Sequence, residues 1–161
     1  MRQFSIKTVV IVLAILTTAQ LVSAQQLVVN GNPKYKTAIG AKYAPFAVTL
    51  KVFSGKKNRA FELLADFDDG FRLTGLYELY GNLNSPGNLK WYVGFGAHSG
   101  YYDKGGEDGI MFGVDGVAGL DYKFMHLPLN ISLDWQPAME FIKPDTEFQG
   151  GRGGLAVRFA F

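Results

Sequence analysis

GGLAVRFAF, residues 153–161, closes the chain. Leu155, Val157, Phe159 and Phe161 alternate with Ala156, Arg158 and Ala160. A period of two sends the first set to one face of a strand and the second to the other. The apolar face is unbroken up to the last residue, with no polar tail after it. Such a strand at an open sheet edge invites aggregation. It is safe when the last strand pairs with the first and the sheet has no edge.

The same period runs upstream. LNISLDWQ sets Leu129, Ile131, Leu133 and Trp135 against Asn130, Ser132, Asp134 and Gln136. IMFGVDGVAGLDYKF sets Phe112, Val114, Ala118, Leu120, Tyr122 and Phe124 against Gly113, Asp115, Gly119, Asp121 and Lys123. A helix would scatter these charges around its circumference. Reading on in this way predicts eight strands, at 35–43, 46–53, 60–67, 71–80, 89–101, 110–124, 129–141 and 152–161. Segments 54–58, 68–70, 84–88 and 103–109 carry the Gly, Pro, Asn and Asp of turns.

The N-terminus has a different logic. Arg2 and Lys7 precede an apolar run at 9–16, and Val22, Ser23 and Ala24 are small residues before a cut. That order predicts a secretory signal peptide over 1–24, cleaved before Gln25. A membrane anchor is the alternative, but the run is shorter than the ~20 residues a spanning helix needs. Zero cysteines leave no site for a cysteine-linked lipid and no disulfide. Of 16 basic residues, Arg2 and Lys7 leave with the signal, so 14 remain against 14 acidic ones. A neutral mature chain is a poor nucleic-acid binder, because that affinity comes from accumulated positive charge.

Export, abundant Gly, Phe and Tyr, and alternating strands without a helical run together predict an all-β fold. The expectation is an eight-stranded antiparallel up-and-down transmembrane β-barrel over 25–161, behind the cleaved signal. An even strand number puts both ends on one side, here the periplasm. Turns near Lys56, Pro86 and 126–128 then face the periplasm. Loops near Pro45, Asp69, 103–109 and 143–149 face outside, and all are short, which argues against an adhesin or receptor. Trp91, Tyr122, Phe124 and Phe161 fall at the periplasmic water boundary, where amphipathic rings are favoured. Leu155, Val157, Phe159 and Phe161 resemble the C-terminal signal read by the outer-membrane assembly machinery.

Parity also names the interior. Lys42, Lys51, Arg72, Lys90, Lys123, Arg152 and Arg158 point inward, as do Glu62, Asp66, Glu78, Asp115, Asp121, Asp134 and Glu140. Eight strands enclose a space just wide enough for side chains to fill. Buried charges persist there only when paired and hydrogen-bonded. An ion-paired plug that holds the barrel shut is the plain expectation. A gated narrow pore for ions or small polar solutes is the sharper one, although a balanced lumen selects neither sign.

Other motifs carry less. His98 and Ser99 could serve a lipid A-modifying barrel enzyme, but a dyad on one strand needs i and i+2 spacing, and adjacent residues point apart. His98 therefore reads as a rim residue bonded to backbone or water, and His126 as an interface residue in its turn. GRGGLA at 151–156 fits the dinucleotide pattern formally, yet no helix can follow it in the remaining residues. Asp68 and Asp69, and Asp103 with Glu107 and Asp108, lack the spacing of a calcium loop. No catalytic residue, cofactor or metal is expected.

Five segments carry a family likeness: IGAKYAPFAVTLKVFSGKKNRAFELLADF, TGLYELYGNL, LKWYVGFGAHSGYY, GVDGVAGLDYKF and LPLNISLDWQPAMEF. They resemble the small OmpX/OmpA-type outer-membrane barrels of Bacteroidetes over most of the mature chain. Pro128, Asp134, Trp135 and Pro137 lie in the most distinctive part. The resemblance implies location in the Gram-negative outer membrane after export through the periplasm, and no activity. A barrel there is expected to contact outer-membrane lipid, lipopolysaccharide and the assembly machinery, and its closed, charge-balanced interior and short loops leave the lateral wall for contact with a larger membrane complex. The expected role is structural or accessory.

Overall fold

A computed structural model describes residues 36–54, 58–68, 70–83, 89–104, 107–142 and 145–161. The expected signal peptide at 1–24 lies outside the described residues, as do the turn residues Lys56, Asp69 and Pro86. The described chain is β1 (Thr37–Tyr43), β2 (Ala47–Phe53), β3 (Arg59–Asp66), β4 (Gly70–Asn82), β5 (Leu89–Lys104), β6 (Glu107–Lys123), β7 (Leu129–Trp135), β8 (Ala138–Ile142), β9 (Asp145–Gln149) and β10 (Gly153–Ala160).

Every pairing is antiparallel, and the ring closes where β1 meets β10, with Ala38 opposite Ala160 and Tyr43 opposite Leu155. These ten strands form eight staves. β7 and β8 are one stave, since both pair with β6 in a single register, Ala118 opposite Trp135 and Asp115 opposite Ala138. Pro137 breaks it because its nitrogen has no hydrogen to donate to the ladder. Its carbonyl still accepts from the Gly116 amide at 2.9 Å. β9 and β10 are the last stave, interrupted around Gly150 and Gly151. Gly153 resumes it at φ 152°, where a Cβ would stand 2.5 Å from the Asp134 carbonyl oxygen. The result is a closed eight-stranded antiparallel β-barrel, as the alternation predicted.

Two expected loops are strand instead. Segment 143–149 pairs from Asp145 as β9, with Phe148 opposite Met139 and Glu147 opposite Glu140. Lys143, Pro144 and the acidic run disguised a two-period stretch that β8 recruits. Segment 103–109 shrinks in the same way, because β5 continues to Lys104 and β6 starts at Glu107. Cross-strand pairing overrides the local turn composition here.

The two faces of the wall are opposite in character. Phe61, Leu63, Val93, Phe95, Val114, Leu133 and Val157 are exposed on the outside. Inside, Lys42, Lys51, Glu62, Glu78, Asp121, Asn130 and Arg158 are buried. Among the described residues, one small group of buried apolar side chains packs together inside, including Leu64, Leu76, Tyr80, Tyr92 and Val117.

Candidate functional site: the charged lumen

Each lumen residue is placed by strand parity, and strand register decides which charges meet. β2, β3 and β4 set Lys51 opposite Glu62, and Glu78 opposite Ala60. Lys51 Nζ therefore lies 2.9 Å from Glu78 Oε2 and 3.2 Å from Glu62 Oε2. It also donates to the Tyr80 hydroxyl at 2.8 Å, which in turn donates to Glu78 Oε2 at 3.0 Å. Arg158 enters from β10. Its Nη2 pairs with Glu62 Oε1, its Nη1 donates to Ser132 Oγ at 2.7 Å and Asn130 Oδ1 at 3.3 Å, and its Nε donates to Thr49 Oγ1 at 3.1 Å. The Thr49 hydroxyl donates onward to Glu62. Asn130 Nδ2 donates to Asp121 Oδ1 at 2.8 Å. This cluster joins β2, β3, β4, β6, β7 and β10 across the centre.

A second cluster lies closer to the β1–β2 turn. Lys42 Nζ is 2.5 Å from Asp134 Oδ1 and donates to Gln136 Oε1 at 2.9 Å. The Tyr92 hydroxyl donates to the other Asp134 oxygen at 2.8 Å. Gln136 Nε2 donates to Asp115 Oδ1 at 3.2 Å, and His98 Nδ1 lies 2.7 Å from Asp115 Oδ2. Tyr92 joins the two clusters. Its ring stacks on Tyr80 with centroids 5.2 Å apart, and Lys51 Nζ sits 4.5 Å from its centroid. Gly119 makes room for this ring, since a Cβ there would fall 2.8 Å from Tyr92 Cζ.

Two pairs lie towards the outer rim: Arg72 with Glu140, and Arg152 with Asp66 at 2.6 Å. At the other end Lys123 Nζ donates to the carbonyls of Phe124 at 3.0 Å and Leu127 at 2.7 Å. Lys90 is half-buried beside it in the register, opposite Asp121. All fourteen charges assigned inward by parity are thus buried or half-buried. Charge is nevertheless uneven along the axis. The central cluster holds Lys51 and Arg158 against Glu62, Glu78 and Asp121, while Lys90 and Lys123 gather at the end where the chain terminates.

His98 corrects an expectation. It is buried in the lumen and paired with Asp115, rather than bonded to backbone or water at the rim. Parity alone would have found it, because His98 shares its face with Lys90 and Tyr92. Ser99 points out, as the pleat requires. The imidazole Nε2 is buried without a hydrogen-bond partner among the described residues, over Gly113 where a Cβ would lie 2.7 Å away. A carboxylate–imidazole pair is therefore present, with glycine rather than a hydroxyl in front of its free nitrogen.

The remaining positions sit where the alternation put them. Trp91, Tyr122 and Phe161 are exposed and Phe124 is half-buried, all at the end of the barrel holding Phe161. Tyr122 and Phe124 meet edge-on at 4.9 Å. Leu155 and Val157 are exposed, Phe159 is half-buried, and Phe161 receives backbone hydrogen bonds from Lys36 and Thr37. His126 is exposed in its bend. No group of His, Asp and Glu with metal-holding geometry occurs among the described residues.

A closed antiparallel barrel, apolar outside and ion-paired within, is the class of protein that fold and site define. Comparison with family models, with curated proteins and with solved structures finds no match to this chain.

Proposed function

We propose that the chain is an integral outer-membrane barrel of the OmpX/OmpA type, plugged by its own side chains and structural or accessory in role. One observation carries the reading: the inversion of the wall. Lys51, Glu78 and Arg158 are fully buried while Phe61, Phe95 and Leu133 are more than half exposed. In water that arrangement wastes the hydrophobic effect, the main source of folding free energy. In hydrocarbon it is what a spanning barrel needs, since backbone groups are satisfied in the ladder and apolar side chains face lipid. Export through the periplasm, recognition of Leu155, Val157, Phe159 and Phe161 by the assembly machinery, and residence beside lipopolysaccharide follow from this reading.

The network described above is a plug by design of its contacts. Arg158 alone ties three staves, through Thr49, Glu62 and Ser132. Lys42, Lys51 and Arg158 each have a carboxylate partner within the lumen. On this reading the barrel is neither a pore nor an enzyme, and its largest available surface is the lipid-facing wall, which serves lateral contact with a larger membrane complex. Carbonate extraction of cell membranes, followed by planar-bilayer recording of the purified chain, tests both halves. The expected result is a carbonate-resistant outer-membrane protein without discrete conductance. Release as a soluble periplasmic protein overturns the reading, and reproducible unitary openings overturn the plug.

A further inference from the structure

The wall of this barrel is not equally tall all round. β1 and β2 have 7 residues each and β3 has 8, whereas β4, β5 and β6 have 13, 16 and 17. On the Phe161 side the strand ends meet in hydrogen-bonded closures, Phe161 with Thr37, Ser54 with Arg59 and Phe124 with Leu129, which set a common lower end. The difference therefore accumulates at the opposite rim. At ~3.3 Å per residue and a tilt of ~40°, each residue climbs roughly 2.5 Å along the axis. From Trp91 to Tyr101, the lowest and highest exposed rings of β5, the climb is roughly 25 Å, which matches the apolar band of an outer-membrane barrel. From Val52 to Phe46 on the β2 side it is roughly 15 Å.

The turn chemistry agrees independently. In sequence three of the connections on this side carry charge: Asp68 and Asp69 between β3 and β4, Lys104 and Glu107 flanking the step from β5 to β6, and Lys143 between β8 and β9. The fourth, over the short wall, is Tyr43-Ala44-Pro45-Phe46, with no charge. Its Tyr43 is 76% exposed and Phe46 43%, and Phe67 and Phe71 continue the aromatic line beside it. Tyr43 heads this line with a polar-ended ring, the kind that sits at the water boundary. Here it sits far lower than Tyr101 does on the tall side. Above the short hairpin the Arg152–Asp66 bridge joins the stave on one side of β1 and β2 to β3 on the other, so the lumen stays latched over the low wall.

We propose that the barrel thins the bilayer along β1 and β2, with outer-leaflet lipid drawn down to the Tyr43–Phe46 turn. A spanning segment shorter than the hydrocarbon is accommodated by thinning, at a modest cost per ångström. The partner of this surface is the lipid itself, and the product is a patch where the two leaflets come closer on one flank of the protein only. The inference rests on the membrane-barrel reading proposed above.

Because the chain has no cysteine, single nitroxide labels can be placed without altering any native thiol. Full-length mature chain carrying Phe46→Cys, Tyr101→Cys, Val52→Cys or Trp91→Cys would be labelled in vesicles of phosphatidylcholine with 18-carbon chains. Depth is read from collisions with oxygen against a water-soluble nickel chelate. The expected result is equal, near-headgroup depth at positions 46 and 101, with 52 and 91 alike at the opposite boundary. A label at 46 reading roughly 10 Å deeper than one at 101 overturns the inference, since the turn then lies drowned in an undisturbed bilayer. Unequal depths at 52 and 91 also overturn it, in favour of a tilted barrel. Should Phe46→Cys fail to fold, Leu50→Cys reports the same wall. Water accessibility at all positions would instead defeat the membrane reading itself.

Discussion

Arg158 and Arg152 stand on the same stave, six residues apart, and have different tasks. The Arg158 side chain is fully buried and reaches Glu62, Thr49, Asn130 and Ser132. The Arg152 side chain is 18% exposed and reaches Asp66. Water can screen and replace the second contact but not the first. Depth in the lumen, rather than charge as such, sets how much a residue matters. A buried charge stripped of its partner must stay unsolvated, whereas a rim charge finds solvent.

The sharpest way to break the comparison is Arg158→Met. It leaves Glu62 in a dry lumen with only Lys51 and Thr49, and strands the acceptor atoms of Asn130 and Ser132. Removing one partner of a buried pair costs about 3–5 kcal/mol. Urea unfolding of the barrel in lipid vesicles should show that loss. Adding Glu62→Gln should recover part of it, since the uncompensated charge is then gone. An Arg158→Met barrel as stable as the parent would mean that water reaches the centre, and the plug would have to be abandoned.

Next in size is a change on the other side of the wall. Phe95 is 66% exposed on β5, midway between the boundary rings Trp91 and Tyr101, with Tyr77 as ring neighbour at 5.9 Å. Arginine facing lipid near the midplane costs about 2–4 kcal/mol. Phe95→Arg should therefore destabilise the reconstituted barrel far more than Phe95→Ala. Equal effects from the two would show that position 95 faces water or another polypeptide.

This contrast of faces is also what made the fold legible. Period two in residues 129–136 and 110–124 named the inner and outer sets residue by residue, because a pleat has only two sides. Partners were less legible. Nothing in the spacing says that Lys42 meets Asp134, 92 positions away, or that Arg158 meets Glu62. Those contacts depend on ring closure and on the stagger between strands, which one strand's pattern does not contain. His98 shows the cost of reading a motif before its parity. Its neighbour Ser99 suggests a dyad and a place at the rim, whereas its position in the even-numbered series of β5 turns it inward. β9 was hidden for another reason, since Asp145 and Glu147 look like loop until β8 is there to pair with them.

A third change keeps the depth and alters volume instead of charge. Gly119 faces the lumen under Tyr92, and a Cβ would lie 2.7 Å from both the Leu133 carbonyl oxygen and Asp134 Cβ. Gly119→Ala must therefore push Tyr92 off Asp134 or spread β6 from β7. Overpacking of this kind costs about 1–3 kcal/mol. Tyr92→Phe in the same background keeps the ring and the clash but removes the hydroxyl bond to Asp134. If the damage of Gly119→Ala acts by breaking that bond, the double variant should lose little beyond Gly119→Ala. Fully additive losses would place the strain in the strands.

The smallest effect belongs to the other arginine. Arg152→Ala removes the rim bridge to Asp66, but the one carboxylate left behind keeps the Asp68 amide as a donor at 3.0 Å, so the loss should be about 1 kcal/mol. Salt should matter as well. The parent and Arg152→Ala barrels should converge in stability as ionic strength rises, because exposed pairs are screened, whereas the gap between the parent and Arg158→Met should stay constant. Equal salt dependence of the two gaps would show that the two arginines do not differ in depth.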